Sequence, residues 1–328
     1  MRRKLFLVLV FVFALGTNTL CFETLPFLWH VHTQGWSDGS STVTEVAKNA
    51  RSGGMKGVFY SDHSDMHISD HSDSFWWYQK ETQQFNQEGA FIVLTGREIT
   101  IGSAKGSNHH LNAYSENSTP YLFNPNLTLD QVLKKVISDE DGFAVYNHPH
   151  TSLLWCDQVN KFSGIEIFNE YHTTFDMNCY LKALKKGWRG FVVGGMDLHS
   201  MLYPNAWLNV KTYIFPDQFT KQSTIEAIKN GKTIATRGVW GVYVSYPPSS
   251  FNQPMNKLQI IIKLKEGLGN VTKKITVNIY KNGNLHKKIT AQPSPKQKGV
   301  YAVEVMPKES GCYVFEMVGY LVTSPYCY

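Results

Sequence analysis

The stretch Phe27-Leu28-Trp29-His30-Val31-His32 governs the interpretation of this chain. Its apolar residues predict a buried β-strand, and its two histidines lie two positions apart at the carboxyl end of that strand. Side chains at positions i and i+2 of a strand project to the same side, so His30 and His32 are expected to project together. A lone His-x-His is more often structural than metal-binding, so other parts of the chain must supply further ligands.

Around this strand, short apolar runs alternate with helical stretches as far as about residue 235. The patterns Thr42-x-x-Glu45 and Thr128-x-x-Gln131 each predict the start of a helix. Strands are predicted at Phe27–His32, Gly57–Ser61, Ala90–Glu98, Gly142–Asn147, Gly164–Phe168, Gly190–Gly195 and Trp207–Ile214. Further helices are predicted at Phe75–Glu88, 176–186 and Thr224–Lys229. This alternation indicates βα units around a parallel sheet, and so many units favour a closed or distorted barrel over an open sheet.

The pattern changes near residue 240. After Pro247-Pro248-Ser249-Ser250, several segments alternate apolar and polar residues, as half-buried strands do. Asn282-Gly283 between two of these segments is typical of a two-residue hairpin turn. We therefore expect a small antiparallel β-sandwich over residues 250–328.

The N-terminus has the pattern of a secretory signal. Arg2, Arg3 and Lys4 precede the apolar run Leu5–Leu15, which is shorter than the roughly 20 residues that span a bilayer. We expect residues 1–22 to be a removed signal peptide and the protein to be secreted, the alternative being a retained signal anchor. No later segment is long and apolar enough to predict a membrane span. The sequons at Asn117, Asn126 and Asn270 matter only in a host that glycosylates.

Cysteine usage agrees with export. Cys21 lies near the expected cleavage point, and four cysteines follow, an even number. Four cysteines allow three pairings, and proximity along the chain favours Cys156–Cys179 and Cys312–Cys327. The chain carries 32 basic and 26 acidic residues, with three of the basic residues inside the expected signal. This excess is small and forms no concentrated stripe, so a nucleic-acid partner is not indicated.

Histidines and carboxylates recur where predicted strands end. Eleven of the twelve histidines precede residue 200. The groups that follow or end strands are Asp62-His63, Glu98, His109-His110, His148 and Asp197-x-His199. Strand ends of a barrel meet on one face, and imidazole together with carboxylate suits zinc, manganese or iron. The joint pattern therefore predicts a metal centre.

These motifs resemble those of the PHP (polymerase and histidinol phosphatase) superfamily. The matching segments are His30-Val31-His32-Thr33 with Ser37-Asp38-Gly39, Ser61-Asp62-His63, Gly96-Arg97-Glu98-Ile99, His110-Leu111, Asn147-His148-Pro149 and Gly195-Met196-Asp197-Leu198-His199-Ser200. The resemblance covers about residues 27–235. It implies a distorted (β/α)7 TIM-like barrel over residues 23–240 and two or three divalent metal ions.

The C-terminal part resembles, more weakly, secreted carbaryl-hydrolase-like members of that superfamily. Gly231-Lys232-Thr233-Ile234-Ala235-Thr236-Arg237-Gly238 fits their Gly-x-Thr-x-x-Thr-x-Gly stretch, apart from Arg237, where a small polar residue is usual. Leu321-Val322-Thr323-Ser324-Pro325 is similar to their usual ending. In such proteins a β-sandwich follows the barrel.

Carried over position by position, the superfamily resemblance implies a set of nine ligands. They are His30, His32, Glu98 and Asp197 for one metal, with Glu98 bridging; His110 and His148 for a second; and Asp38, His63 and His199 for a third. Aspartate stands at position 38 where many members have histidine, and His109 is the alternative to His110. Catalytic roles are implied for His30, His32, Glu98, His148 and Asp197.

Several polar residues outside this set could face the substrate. Arg237, as a phosphate clamp, and His150 are the main candidates, and His172 is a further one. The Ser/Asp-rich segment that contains His67, Asp70, His71 and Asp73 is either a solvated loop or a lid over the site.

The residues therefore predict a secreted multinuclear metal-dependent hydrolase that uses a metal-bound hydroxide. The chain has no Gly-x-Ser-x-Gly and no phosphate-binding P-loop motif, so no side-chain nucleophile is indicated. The leading hypothesis is a phosphoesterase that acts on a small phosphorylated ester. The first alternative is a carboxylic-ester, carbamate or amide hydrolase, and the second is a catalytically silent secreted binding protein. The sequence has no feature that indicates the oligomeric state.

Overall fold

The computed structural model describes residues 21–22, 24–64, 72–101, 110–117, 127–149, 153–201, 209–245, 258–264, 273–295, 299–305 and 309–327. The helices are α1 Val43–Ser52, α2 Ser72–Gln83, α3 Leu129–Ile137, α4 Met177–Lys185 and α5 Lys221–Lys229, with a 3-10 helix at Leu153–Lys161. The first twelve strands are β1 Cys21–Phe22, β2 Leu25–Val31, β3 Gly57–Tyr60, β4 Ile92–Thr95, β5 Arg97–Thr100, β6 His110–Tyr114, β7 Phe143–Tyr146, β8 Gly164–Asn169, β9 Thr174–Phe175, β10 Phe191–Gly195, β11 Val210–Ile214 and β12 Thr233–Arg237. The remaining strands are β13 Val239–Ser245, β14 Leu258–Leu264, β15 Ile275–Lys281, β16 Asn284–Ala291, β17 Val300–Val305, β18 Cys312–Met317, β19 Leu321–Thr323 and β20 Tyr326–Cys327.

Both predicted capping boxes are confirmed. Thr42 and Glu45 exchange hydrogen bonds at the start of α1, and Thr128 and Gln131 do so at the start of α3. Helix α2 ends at Gln83, short of the predicted Glu88. The chain turns back there because the Asn86 amide side chain accepts a hydrogen bond from the backbone N–H of Val93, at the start of the next strand.

The fold is mixed α/β, but a closed parallel barrel is not confirmed, since the strands lie in open sheets. The largest sheet has the order β16-β15-β18-β19-β12-β11-β2-β3-β4, with β20 beside β18. A second sheet has the order β10-β8-β7-β6-β5, with β9 beside β8. Strand β6 is antiparallel to both neighbours. Only residues 101–109 separate it from β5, and a parallel crossover needs about a dozen residues or more.

The two sheets approach each other where the histidine-bearing strands end. The Met196 backbone N–H donates to the Trp29 carbonyl at 2.8 Å, and that of Leu198 donates to the His30 carbonyl at 3.0 Å. At the other end of the second sheet, the Glu98 N–H in β5 donates to the carbonyl of Ser61, the residue that follows β3, at 3.1 Å. These bonds link β10 to β2 and β5 to β3, and they bring the strand ends of both sheets together.

The C-terminal strands continue the large sheet. Strand β19 pairs with β12, and β15 and β16 form the hairpin predicted at Asn282-Gly283, with both turn residues at positive φ. A four-stranded sheet, β1-β13-β14-β17, packs on this part through an apolar cluster that includes Tyr213 and Ile234. The linker expected at residues 247–250 lies outside the described residues.

Both predicted disulfides are confirmed. Cys156–Cys179 joins the 3-10 helix to α4, and Cys312–Cys327 joins β18 to β20. Of the expected signal segment, only Cys21 and Phe22 lie within described residues, and they pair with β13. Of the three sequons, Asn117 is exposed and the other two lie outside the described residues. Within the described part of the chain, no helix is both long and apolar enough to cross a membrane.

Candidate metal centre

Three of the candidate ligands have unusual backbone conformations. His30, His148 and Asp197 have φ values of 64°, 26° and 51°, a region that non-glycine residues rarely adopt. Such conformations cost about 1–3 kcal/mol each and cluster at functional sites. At His30 the pairing of β2 with β3 shifts register, so the regular strand assumed for His30 and His32 is interrupted. The two imidazoles still reach the same carboxylate, because the irregular backbone turns both toward Glu98.

Glu98 is the centre of the cluster. It is buried, and its carboxylate lies within 3.4 Å of five imidazoles. Its Oε1 is 3.1 Å from His30 Nε2, 3.2 Å from His110 Nδ1 and 3.2 Å from His148 Nε2, and its Oε2 is 3.3 Å from His32 Nε2 and 3.4 Å from His63 Nδ1. A single carboxylate therefore faces ligand atoms from several strands.

The ligand atoms fall into four groups that could each hold a metal ion, with the atoms of a group within 4.8 Å of one another. The groups are His30, His32, Glu98 and Asp197; His63, Glu98 and His110; His32, Asp38, His63 and His199; and His148, His172 and Asp197. The first group has the composition that the family resemblance implies for one metal. In the third, Asp38 is more exposed, and its oxygens lie 3.2–3.8 Å from three imidazoles. All nine residues of the predicted ligand set are thus brought together, but His110 and His148, which were expected on one metal, belong to different groups.

The donor set fits divalent metal ions. Zinc lies about 2.0–2.2 Å from nitrogen and oxygen ligands, which separates neighbouring ligand atoms by roughly 3.0–3.6 Å. The distances around Glu98 lie in that range. Within the described residues, His30 Nε2, His32 Nε2 and Glu98 Oε2 are buried and make no hydrogen bond. Buried polar atoms of this kind are costly unless they bind something, and mixed imidazole and carboxylate ligands suit zinc, manganese or iron.

The charges in the cluster are strongly coupled. Burial opposes ionisation of Glu98 and Asp197, but the surrounding imidazoles outweigh burial and hold the pKa of each carboxyl well below its usual value. Burial alone would lower the pKa of His32, yet Asp197 and Glu98 outweigh it and raise that pKa to about 10. For His63 burial dominates and lowers the pKa to about 4. A divalent cation would replace the protons that now balance these carboxylates.

A second set of buried side chains holds the ligands in place. Glu166 Oε1 lies 2.9 Å from His30 Nδ1, and its Oε2 accepts the backbone N–H of His148 at 2.8 Å. The Asn147 side chain donates to Glu98 Oε1 at 2.7 Å. Asp62, from the second motif, accepts hydrogen bonds from the backbone and hydroxyl of Thr33 and the hydroxyl of Ser37. Carboxylates that orient ligand histidines fix which ring nitrogen faces the metal.

Glu166 was missed by the sequence interpretation. It lies in β8 between Ile165 and Ile167, and all three are buried. A single carboxylate in an otherwise apolar strand is the signal that could have identified it, because a buried charge needs a partner. Gly195 is required beside it, since a Cβ at that position would lie 1.5 Å from Glu166 Oε1.

The predicted substrate residues are not all at the site. Arg237 does not border the cavity beside the cluster, and its Nε lies 3.4 Å from Glu170 Oε2. His150, His109 and the loop histidines His67 and His71 lie outside the described residues. His172 does reach the site, with its Nε2 3.4 Å from Asp197 Oδ2.

A cavity of about 170 Å³ opens beside the ligands. Its lining consists of Asp38, His63, Glu98, His110, His148, Tyr171, His172, Asp197 and His199. Among these described residues, only Tyr171 is neither histidine nor carboxylate, and none is serine, threonine, cysteine, lysine or arginine.

Comparisons with known proteins give only distant similarities. No family model and no curated protein matches the chain. Among solved structures it is similar to a proposed metal-dependent phosphoesterase from Bifidobacterium adolescentis, with a TM-score of 0.39 and 15% identity over 62% of this chain and 94% of that one. It is also similar to an amidohydrolase from Chromobacterium violaceum with bound sulfate and no metal, with a TM-score of 0.36 and 13% identity over 53% and 87% of the two chains. Neither similarity is strong enough to assign a function to this chain.

Proposed function

We propose that this protein is a secreted, multinuclear metal-dependent hydrolase of the PHP superfamily, and a phosphoesterase in the first instance. The observation that carries the proposal is the buried carboxylate of Glu98, which lies within 3.4 Å of five imidazoles. Two further carboxylates, Asp197 and Asp38, lie in the same cluster. Ligand atoms of this number and spacing are suited to binding divalent cations.

Bound divalent ions would supply Lewis acidity and would lower the pKa of water. The protein's own part is to hold the ligands and shape the cavity. Glu98 and Asp197 balance the positive charge, Glu166 and Asn147 fix ligand orientation, and His172 stands at the edge of the cavity. The described residues of the lining include no serine, threonine or cysteine, and the reaction that we propose for this cavity is transfer of a phosphoryl or acyl group to water.

A second candidate function is hydrolysis of a carboxylic ester, carbamate or amide. The described residues of the cavity lining include no lysine or arginine, and this favours it, because a phosphomonoester carries charge that such side chains commonly balance. Under the phosphoesterase proposal, the metal ions must balance that charge alone. The remaining alternative is a secreted binding protein that holds metal without turnover.

Activity panels separate these candidates. The protein is treated with chelator, reloaded with Mn²⁺ or Zn²⁺, and assayed against phosphomonoesters, phosphodiesters, aryl esters and carbamates. We expect phosphoester cleavage that chelation abolishes and metal restores. Cleavage of aryl esters or carbamates alone would favour the second candidate, and full metal occupancy with no turnover would favour the binding protein. Export is tested separately by sequencing the N-terminus of the protein recovered outside the cytoplasm.

The Glu98→Gln variant tests the central carboxylate. An amide has no charge to balance two ions, so we expect a folded protein with reduced metal content and activity at least ~10²-fold lower, above the ~10–100-fold typical of changes beyond the ligands. Glu316→Gln is the matched control, because Glu316 is also buried but hydrogen-bonds Tyr280 and Asn278 instead of metal ligands. Metal content is measured by elemental analysis. Full activity and full metal content in Glu98→Gln would contradict the proposal.

A further inference from the structure

The connection between β8 and β9 is a tight hairpin whose tip borders the cavity. Phe168 pairs with Phe175 and Asn169 with Thr174, and the Thr173 N–H donates to the Glu170 carbonyl at 3.1 Å. Residues 170–173 therefore form a β-turn with Tyr171 and His172 at its centre. Thr173, a β-branched residue, has φ of 54°, a conformation that persists only where its surroundings enforce it.

Several contacts hold this turn against the metal cluster. The His172 N–H donates to the Asn169 side-chain oxygen at 2.9 Å, and the Glu170 N–H donates to the Gly195 carbonyl at 3.1 Å. The Glu170 carboxylate accepts two hydrogen bonds from Asn209, at 2.9 and 3.1 Å, beside its ion pair with Arg237. The tip is thus a preorganised part of the site, and Arg237 contributes to it by anchoring Glu170.

Tyr171 is the exposed aromatic residue at this tip. The residue is 63% exposed, and it lines the cavity. The ring centroid lies 4.9 Å from that of His199 at an interplanar angle of 36°, and 5.2 Å from that of His172 in an edge-on arrangement. An aromatic ring that is exposed at the lining of a cavity offers its face to a ligand.

We propose that Tyr171 is a specificity-determining residue that packs against a flat aromatic group next to the scissile bond, so that the substrates are aryl or arylmethyl esters. This inference rests on the proposed hydrolase function and names the substrate class of the same site. The ligand's acidic or ester group would lie among the histidines and carboxylates, and its ring would lie against Tyr171 at the open side of the cavity. Packing of two rings is directional, so a saturated ring of the same size fits less well.

A binding experiment tests this without requiring turnover. Benzylphosphonate and cyclohexylmethylphosphonate share the acidic group and the ring size but differ in aromaticity. Their dissociation constants are measured by calorimetry on the Mn²⁺-loaded full chain, for the wild type and for Tyr171→Phe, Tyr171→Leu and Trp77→Ala. Trp77 is a control because it is an exposed aromatic residue that does not line the cavity.

We expect benzylphosphonate to bind about three- to tenfold more tightly than the saturated compound, in line with the strength of aromatic pairs. Tyr171→Phe and Trp77→Ala should keep this ratio, and Tyr171→Leu should reduce it to about one. An equal ratio in wild type and Tyr171→Leu, or no binding of either compound to the wild type, would overturn the inference. If the metal-loaded wild type turns over no ester but keeps the binding ratio, the proposed hydrolase function is overturned, and only the binding of aromatic groups by Tyr171 stands.

Discussion

At the residue scale, the ligands depend on partners that are not ligands themselves. His30 presents Nε2 to Glu98 because its Nδ1 is occupied by Glu166 at 2.9 Å. Glu166 also accepts the backbone N–H of His148, so one buried carboxylate orients two ligands from different strands. Asn169 donates to the same carboxylate at 3.0 Å and links it to the hairpin tip.

We expect Glu166→Ala to lower metal affinity by about 10–100-fold, as removal of such supporting carboxylates usually does. The metal affinity of Glu166→Gln should lie between those of the wild type and Glu166→Ala, because an amide oxygen can still accept a hydrogen bond from His30 but carries no charge. Affinity is measured by competition with a chromophoric chelator. Unchanged affinity in a folded Glu166→Ala protein would show that His30 does not need this partner.

Because of the buried imidazoles, we expect the stability of the metal-free protein to fall with pH and the stabilisation by metal to rise with pH. In the metal-free protein the pKa of His32 is raised to about 10, because Asp197 and Glu98 outweigh burial. A raised pKa stabilises the fold fully below the unfolded value of about 6.5, and that stabilisation is lost as pH rises toward about 10. Metal ligation requires neutral imidazole, so stabilisation by metal increases with pH.

Between about pH 6.5 and about pH 8.5 we therefore expect the melting temperature of the chelator-treated protein to fall. Over the same pH range, the increase in melting temperature that Zn²⁺ or Mn²⁺ causes should become larger. Thermal unfolding by circular dichroism measures both quantities. A metal increment that shrinks with rising pH would contradict ligation by these histidines.

At the element scale, capping boxes set where two helices begin, and a disulfide joins two neighbouring helices. The capping boxes begin α1 and α3 as predicted, because each involves residues only three positions apart. The Cys156–Cys179 disulfide ties the 3-10 helix to α4, and it closes a loop with a sequence separation of 23. Both cysteines are buried against the apolar core.

Removing that disulfide with the double substitution Cys156→Ala and Cys179→Ala should lower the free energy of unfolding by about 3 kcal/mol, because the unfolded chain regains the freedom of the closed loop. Urea unfolding under non-reducing conditions measures the change. The matched comparison is Cys312→Ala with Cys327→Ala, which opens a separation of 15 and should cost slightly less. An unfolding free energy equal to that of the wild type would refute the prediction.

At the scale of the whole molecule, the C-terminal strands are part of the sheet that carries β2. Strand β19 pairs with β12, the Ser324 hydroxyl accepts the N–H of Val192 at 3.0 Å, and the Tyr180 hydroxyl donates to the Thr323 carbonyl at 3.0 Å. These contacts connect the last strands to β10 and α4, and β10 leads directly into Asp197. The two parts are therefore expected to unfold together.

Seven of the eight tryptophans precede residue 210, and Trp240 lies in β13 of the four-stranded sheet. In a Trp240→Phe variant, tryptophan fluorescence therefore reports on the N-terminal part alone. Amide exchange in β15 and β18 reports on the C-terminal strands. We expect both to give the same urea midpoint, and a chain truncated after residue 245 to be insoluble, because Tyr213 and Ile234 would lose their apolar cover. Exchange in β15 and β18 at clearly lower urea than the fluorescence change would contradict a single cooperative unit.

Residue types and their order predicted the cluster of histidines and carboxylates at strand ends. The set of nine ligands was implied by the family resemblance, and all nine residues come together. The disulfide pairs follow from proximity along the chain. The strand ends were visible because apolar runs and the polar residues after them are local patterns. Arg237 shows the limit, since a lone arginine in a sequence gives no sign that Glu170 is its partner.

The sequence by itself determined the mixed α/β class, the starts of α1 and α3, and the histidines and carboxylates at strand ends, because each depends on residues close together in the chain. Helices α2 and α5 begin three residues before the predicted Phe75 and Thr224. Only the tertiary structure decided which sheet each strand joins, the antiparallel direction of β6 and the continuation of the large sheet into β19. It also decided that five imidazoles share Glu98, that Glu166 supports His30 and that Tyr171 faces the cavity. These features depend on pairings between distant residues, and local periodicity has no information about such pairings.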